Sequence, residues 1–432
     1  MSVMHLQPAA PPPEPRAQGG RWHWTRLLSA PHRLAFFAGA CAMALTGLWW
    51  ALALTARAQG WAWPWAVAPL LAHGALLSLA FMPLFIVGFL FTAGPRWLGQ
   101  PEVPAAVLLR PVLAMVGGGA LTLLGVHVHG PLAALGLGLQ ASGWAKVLWR
   151  FAHLVRDSRV PDRVHAQAVL GAGCFGLLAW AGLAAAWALD APDLARAAVQ
   201  LALWGFLAPT FAVVSHRMLP FFSASVLPQL EAWRPHWLLS AMGGALAASA
   251  LVAMADALWG GWPAPLLAAA AGLQAAASGL MLWLAVRWGL LHSLRGKALR
   301  LLAMLHGGFV WLGLALGLAA ASNGLQALGL PGLGLAPLHA LTVGYLGCTL
   351  IAMITRVSAG HSGRPLAVDA LAWGLYGLLQ GTAVARVLAA LWPAMGGALT
   401  LAAALGWAVV TLAWAGRHGA WLGRPRVDGR PG

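Results

Sequence analysis

Long apolar runs recur from Leu34 almost to the C-terminus, broken only by short junctions, and they constrain this chain more than any other feature. A helix needs about 20 apolar residues to cross the hydrocarbon core of a bilayer. Twelve runs reach that length, from Leu34–Ala56 to Met395–Trp414, with Trp65–Thr92 second, Pro131–Leu154 fourth, Ala195–Ser215 sixth and Leu335–Val357 tenth. Pro, Gly or charge marks the junctions, as in Pro101-Glu102-Val103-Pro104 and Asp157-Ser158-Arg159-Val160-Pro161-Asp162. Only 8% of the residues are charged, where a soluble domain uses about 25%. The expected fold class is therefore all-α: a polytopic membrane bundle of about twelve transmembrane helices. Residues 1–33 are expected to be a disordered, basic, Pro-rich cytoplasmic tail, 34–415 the transmembrane domain, and 416–432 a second cytoplasmic tail.

Net charge of +16 raises the possibility of nucleic acid as a partner, and its distribution argues against it. With the N-terminus in the cytoplasm and twelve crossings, all but Arg57, Arg196 and Arg386 of the 26 Lys and Arg residues fall on the inner side. Such asymmetry is what orients membrane helices. It places both termini in the cytoplasm and makes membrane lipid, not nucleic acid, the expected partner. The segment from about His216 to His236 is the longest between spans and is expected to lie in the membrane interface. The three cysteines sit in apolar segments with no CxxC or CxxCH, which removes a covalently attached haem from consideration.

The acids and histidines separate the remaining classes. All ten acidic residues lie in tails, junctions or helix ends, whereas a proton- or cation-coupled transporter usually needs a carboxylate at mid-membrane depth. Fifteen histidines are many beside ten acids, and neutral imidazole is the commonest metal ligand. The topology sorts them into an outer group with His73, His127, His129 and His339, and an inner group with His32, His153, His216, His306 and His361. His73 and His339 open the second and tenth spans from outside, so they lie at similar depth and suit an axial haem pair or a shared copper. His165, His236, His292 and His418, at helix ends, read as interfacial groups, and Met218 and Met353 as packing.

Two further patterns involve polar faces. At 3.6 residues per turn, His339, Thr342, Leu346, Thr349, Met353 and Arg356 share one face of the tenth span. Lys146, Arg150, His153 and Asp157 share a face at the inner end of the fourth. Those cations suit haem propionates or anionic lipid head groups, or are simply a basic helix end reaching for water.

Five stretches resemble the NnrS family of bacterial inner-membrane proteins: Pro31-His32-Arg33; His73 with Gly88-Phe89-Leu90-Phe91-Thr92-Ala93-Gly94-Pro95-Arg96-Trp97; Ser215-His216-Arg217-Met218-Leu219-Pro220-Phe221-Phe222; Leu305-His306; and His339-Ala-Leu-Thr-Val-Gly with Thr355-Arg356 and Gly360-His361-Ser362-Gly363-Arg364. The resemblance covers essentially the whole chain. It implies twelve helices, non-covalent haem and copper, the bacterial inner membrane and a link to nitric oxide stress and denitrification. In its light His73 and His339 are the expected outer metal ligands, and His216, His306 and His361 the inner ones. Arg356 and Arg364, with Lys146 and Arg150, are the expected cofactor-binding cations. Many members carry a second histidine directly after the first on the second helix; here the chain reads His73-Gly74-Ala75.

The functional expectation is a haem–copper membrane protein that relieves nitric oxide toxicity, with nitric oxide its small-molecule ligand and an unidentified electron donor. A redox enzyme would turn nitric oxide over, and a sensor or protective protein would bind it without turnover. A transporter of a small solute would hold no stoichiometric haem.

Overall fold

The computed structural model describes residues 20–227 and 229–429, and among these every regular element is helical. In chain order the α-helices are α1 (Pro31–Gln59), α2 (Pro69–Leu79), α3 (Met82–Trp97), α4 (Ala106–Val128), α5 (Gly130–Asp157), α6 (Val164–Ala188), α7 (Pro192–Gln200), α8 (Ala208–Val226) and α9 (His236–Trp259). They continue as α10 (Ala264–Arg287), α11 (Leu290–Ser293), α12 (Arg300–Ala327), α13 (Ala336–His339), α14 (Cys348–His361), α15 (Ala370–Leu391) and α16 (Gly396–Leu422). Several of these join into single spans. Helices α2 and α3 form one crossing bent near Phe81, where Pro83 has no N–H to give the Leu79 carbonyl.

Among the described residues eleven helices are long and apolar enough to cross a membrane. The remaining long helix, α5, is 28 residues but carries Gln140, Lys146 and Arg150. The chain ends settle its role. His23 N–H donates to the Gly423 carbonyl at 2.8 Å, and the Arg33 guanidinium donates to the carbonyls of Leu422 at 2.9 Å and Arg424 at 2.8 Å. The start of α1 and the end of α16 thus share one end of the bundle, so the number of crossings is even, and α5 is the twelfth. Leucines such as Leu45, Leu52, Leu113, Leu124, Leu135 and Leu178 stay exposed on the outside of this bundle. A surface of that kind is stable against lipid, not water.

The same contacts correct the expected tails. Residues 1–19 lie outside the described residues, but from Gly20 onward the chain is held: Trp24–Ser29 form a short 3-10 helix and α1 starts at Pro31. Helix α16 continues to Leu422 with His418 and Leu422 buried. Arg33, itself buried, meets the bare carbonyls at that helix end, where a cation is favoured. The span also runs on past Ser215, because α8 continues as helix to Val226 with Pro220 inside.

Tight interfaces use glycine in place of side chains, as membrane bundles require when no hydrophobic effect drives helices together. In the α4–α5 hairpin a Cβ on Gly118 would lie 2.6 Å from the Gly136 carbonyl, and one on Gly136 would lie 2.5 Å from the Thr122 nitrogen. Between α12 and α14, a Cβ on Gly308 would lie 2.5 Å from Thr349 Oγ1 and 2.8 Å from its backbone nitrogen.

Two π-helical segments interrupt long spans. Leu201–Leu207 joins α7 to α8, and Ala340–Gly347 joins α13 to α14. In the first, Pro209 cannot donate to the Gly205 carbonyl, which loosens the ladder. In the second, Trp311 packs where a Cβ of Gly344 would stand, and the Cys348 thiol donates to the Val343 carbonyl five residues back at 3.6 Å. Segments of this type commonly border functional sites.

One polar cap at the end of the bundle that holds the chain termini has a pH-dependent consequence. Asp369 accepts from Ala372 N–H at 2.9 Å as the N-cap of α15, and from the Arg417 guanidinium at 3.0 and 2.6 Å. The Arg417 hydrogen bond first, and the Ala372 N–H second, hold its carboxyl down at about 2. Its folded pKa lies below the ordinary unfolded value, so its stabilisation is complete above about pH 4 and is lost as pH falls toward 2. Asp369→Ala is expected to cost about 1 kcal/mol at neutral pH, mostly as the lost cap, since the ion pair is half exposed. Thermal unfolding in detergent at pH 7 and pH 3 checks it: the wild-type advantage shrinks at the lower pH.

Candidate functional site

A cavity of about 360 Å³ opens at the end of the bundle opposite the chain termini, and both His73 and His339 line it. His73 comes from the first turns of α2, placed there by Pro69 at the helix start. Its ring stacks on Trp50, centroids 4.1 Å apart at 26°. Its Nδ1 is sealed from solvent with no hydrogen-bond partner among the described residues. His339 ends α13 and borders the second π segment. Its Nδ1 lies 2.9 Å from the Leu335 carbonyl, and a carbonyl only accepts. The proton of neutral His339 therefore sits on Nδ1, leaving Nε2 as a lone pair, which is how a metal-binding imidazole is usually oriented.

Around these rings the walls are largely apolar, from Leu203, Phe81, Trp407 and others, with Arg386, Arg196, Asp256 and Gln200 among the polar groups. Arg196 is already paired with Asp193 at 2.7 Å. Both π segments reach the cavity, the first through Leu203 and the second through Thr342 and Val343. The departure at Gly74 lies against α7. A Cβ there would meet a Val199 methyl of α7 at 3.0 Å, so any side chain at the position obliges Val199 to give by a few tenths of an ångström.

The second π segment also breaks the stripe expected on the tenth span. Along it, His339 and Thr342 line the first cavity, and Thr349 and Met353, further along the span, line a separate apolar cavity of about 50 Å³ with Phe36, Phe85 and Phe211. Arg356 lies over the Phe222 ring at 3.9 Å.

Toward the end that holds the chain termini, His216, His306 and His361 have separate partners. His216 Nδ1 is 3.0 Å from Nε2 of His165, and its Nε2 is 3.2 Å from the Pro235 carbonyl. His306 Nε2 bonds Ser223 Oγ at 3.1 Å. His361 packs on His32, ring centroids 4.2 Å apart. Beside that pair Arg426 donates to the His361 carbonyl at 3.1 Å. Of the expected cofactor cations, Arg364 lies over Trp421 at 4.4 Å with Nη1 buried and unpartnered among the described residues. Lys146 is exposed, and Arg150 lies beside the exposed Trp149 ring at 6.0 Å, on an outward face of α5.

Among the described residues one group of three metal-ligating side chains forms: Asp162, His165 and His236 offer ligand atoms all within 4.8 Å of one another. Sequence reading set both histidines aside as interfacial. Nothing local signals their meeting, since they sit on different helices, although Asp162 three residues before His165 was a legible half of it. His127, by contrast, is used structurally: it accepts from Trp49 Nε1 at 2.8 Å and donates to the Pro64 carbonyl at 2.7 Å.

Comparison with protein-family models matches residues 26–426 to the one described as NnrS protein. Comparison with curated proteins finds no match.

Proposed function

The chain belongs to the NnrS family, and on that premise we propose that it is a haem- and copper-binding protein of the bacterial inner membrane that relieves nitric oxide toxicity. The observation that carries the proposal is the pairing of His73 and His339 on one cavity, one with an unpartnered buried nitrogen and the other with its tautomer set by a carbonyl. Two neutral imidazoles are a donor set that suits both haem iron and copper. The cavity volume of about 360 Å³ falls within the roughly 300–1,000 Å³ of pockets that hold cofactors. The residues fit the group.

Bound there, haem or copper would supply an open coordination position for nitric oxide and one-electron chemistry. The rest is the work of this chain. Trp50 holds the His73 ring by stacking, and the Leu335 carbonyl holds that of His339. Apolar walls offer water few partners and admit a small uncharged gas. Arg386, half-buried on the cavity wall, offers a cation to an anionic cofactor edge.

An optical spectrum of the detergent-purified protein, oxidised and reduced, with and without nitric oxide, beside metal analysis, tests the reading. A haem band that shifts on adding nitric oxide, with copper present, is expected. A colourless, metal-free protein after expression with haem and copper supplied overturns it. Sustained nitric oxide loss with a reductant then separates turnover from binding alone.

A further inference from the structure

We propose that Asp162, His165 and His236 form a second metal site, for a first-row transition-metal dication, at the end of the bundle that holds the chain termini. The inference is independent of the reading above, because these residues lie across the membrane from the His73–His339 cavity. Asp162 sits in the α5–α6 junction, His165 is the second residue of α6, and His236 is the first of α9. Two junctions at one end of the bundle thus converge on one point.

The hydrogen-bond chain behind His165 determines what that ring can do. The Pro235 carbonyl only accepts, so His216 donates to it through Nε2 and keeps a lone pair on Nδ1. The 3.0 Å bond between the rings is then donated by His165 Nε2. That leaves His165 Nδ1 as a lone pair on a buried ring, 2% exposed, whose other nitrogen is already a donor. Ligating histidines show this arrangement, in which the second nitrogen fixes ring and tautomer. Here the anchor is another buried imidazole tied to the backbone.

The other two ligands complete a borderline donor set. Two imidazoles and one carboxylate suit zinc, cobalt, iron or copper dications and not calcium or magnesium, which take oxygen. Metal–ligand bonds of about 2.0–2.2 Å hold neighbouring ligand atoms roughly 3.4 Å apart. His236 Nε2 and Asp162 Oδ2 already stand 3.5 Å apart, and with side chains 53% and 47% exposed they are free to close on His165. Arg217 is the competitor: its Nη1 lies 3.4 Å from His165 Nδ1, at the long limit of a hydrogen bond, while its guanidinium rests on the Trp97 ring at 4.8 Å. Without metal it satisfies the nitrogen, and with metal it retreats to the ring. The exposed side of the site leaves a fourth position for water. Occupied, the site would fasten the α5–α6 junction to the start of α9.

Cobalt(II) added to chelator-treated, detergent-purified protein is the probe, read by visible d–d absorption and bound metal per chain. Wild type is expected to take up one more cobalt ion per chain than Asp162→Ala/His236→Ala and to show a higher unfolding temperature with cobalt, which the double variant lacks. Equal uptake by both overturns the proposal. Should the double variant fail to fold, carbethoxylation of His236 in wild type decides: cobalt protects it if the site is real, and modification at an unchanged rate overturns it. The nitric oxide response of the double variant is expected to stay as in wild type, so failure here and failure of the haem–copper reading are distinguishable.

Discussion

His339→Ala is expected to leave the purified protein without its nitric oxide-responsive spectrum, and His73→Ala to do the same. Even a partner that merely orients a metal ligand is worth about 10–100-fold in affinity, so loss of the ligand itself should exceed a hundredfold. Both variants should fold, since each removes a side chain that lines a cavity and leaves its helix intact. His129→Ala is the matching control: it is exposed, lies on the same outer side, and is expected to retain full metal. Haem and copper content by pyridine haemochrome and elemental analysis checks all three. If the His73 and His339 variants both keep a full complement, the cavity is not the metal centre.

Gly308→Ala is expected to destabilise the bundle by about 1–3 kcal/mol, the cost of forcing atoms into a packed interface. The new Cβ would stand 2.8 Å from the Thr349 nitrogen, and a backbone atom cannot swing aside as a side-chain tip can. Helices α12 and α14 would have to separate. Gly377→Ala provides the contrast, because a Cβ there meets nothing within 4 Å. It should be neutral or stabilising by about 0.5–1 kcal/mol, as alanine is the better helix residue. Unfolding midpoints in one detergent compare them, and equal shifts for both would show the α12–α14 contact to be slack.

Much of this architecture is legible before any coordinates, because lipid imposes length, apolarity and charge sidedness on every crossing. The run lengths delimit twelve spans, and counting crossings from the N-terminus puts His73 and His339 at the same end. What periodicity cannot carry is a change in period. The stripe from His339 to Arg356 assumes 3.6 residues per turn throughout, and the π segment at Ala340–Gly347 breaks that period. Pairings across the chain are equally invisible. His165 and His236 look like ordinary helix-end residues until α6, α8 and α9 bring them beside His216. Arg33 looks like one more inner-face charge, yet it closes the bundle on the last turn of α16.

A π turn holds one residue more than an α turn, so each such segment is in effect an insertion of a single amino acid that a helix has absorbed. Because the wide turn takes up the extra residue locally, the helix on either side keeps its facing; the same insertion into unbroken α-helix would move everything beyond it by about 1.5 Å and turn it by about 100°. Without that wide turn, either His339 would swing off the cavity it shares with His73, or Thr349 would leave its contact with Gly308. The π turn is thus where this span can change in length: loss of one residue between 340 and 347 should leave His339 aligned with the rest of the bundle, and loss of one elsewhere in the span should not.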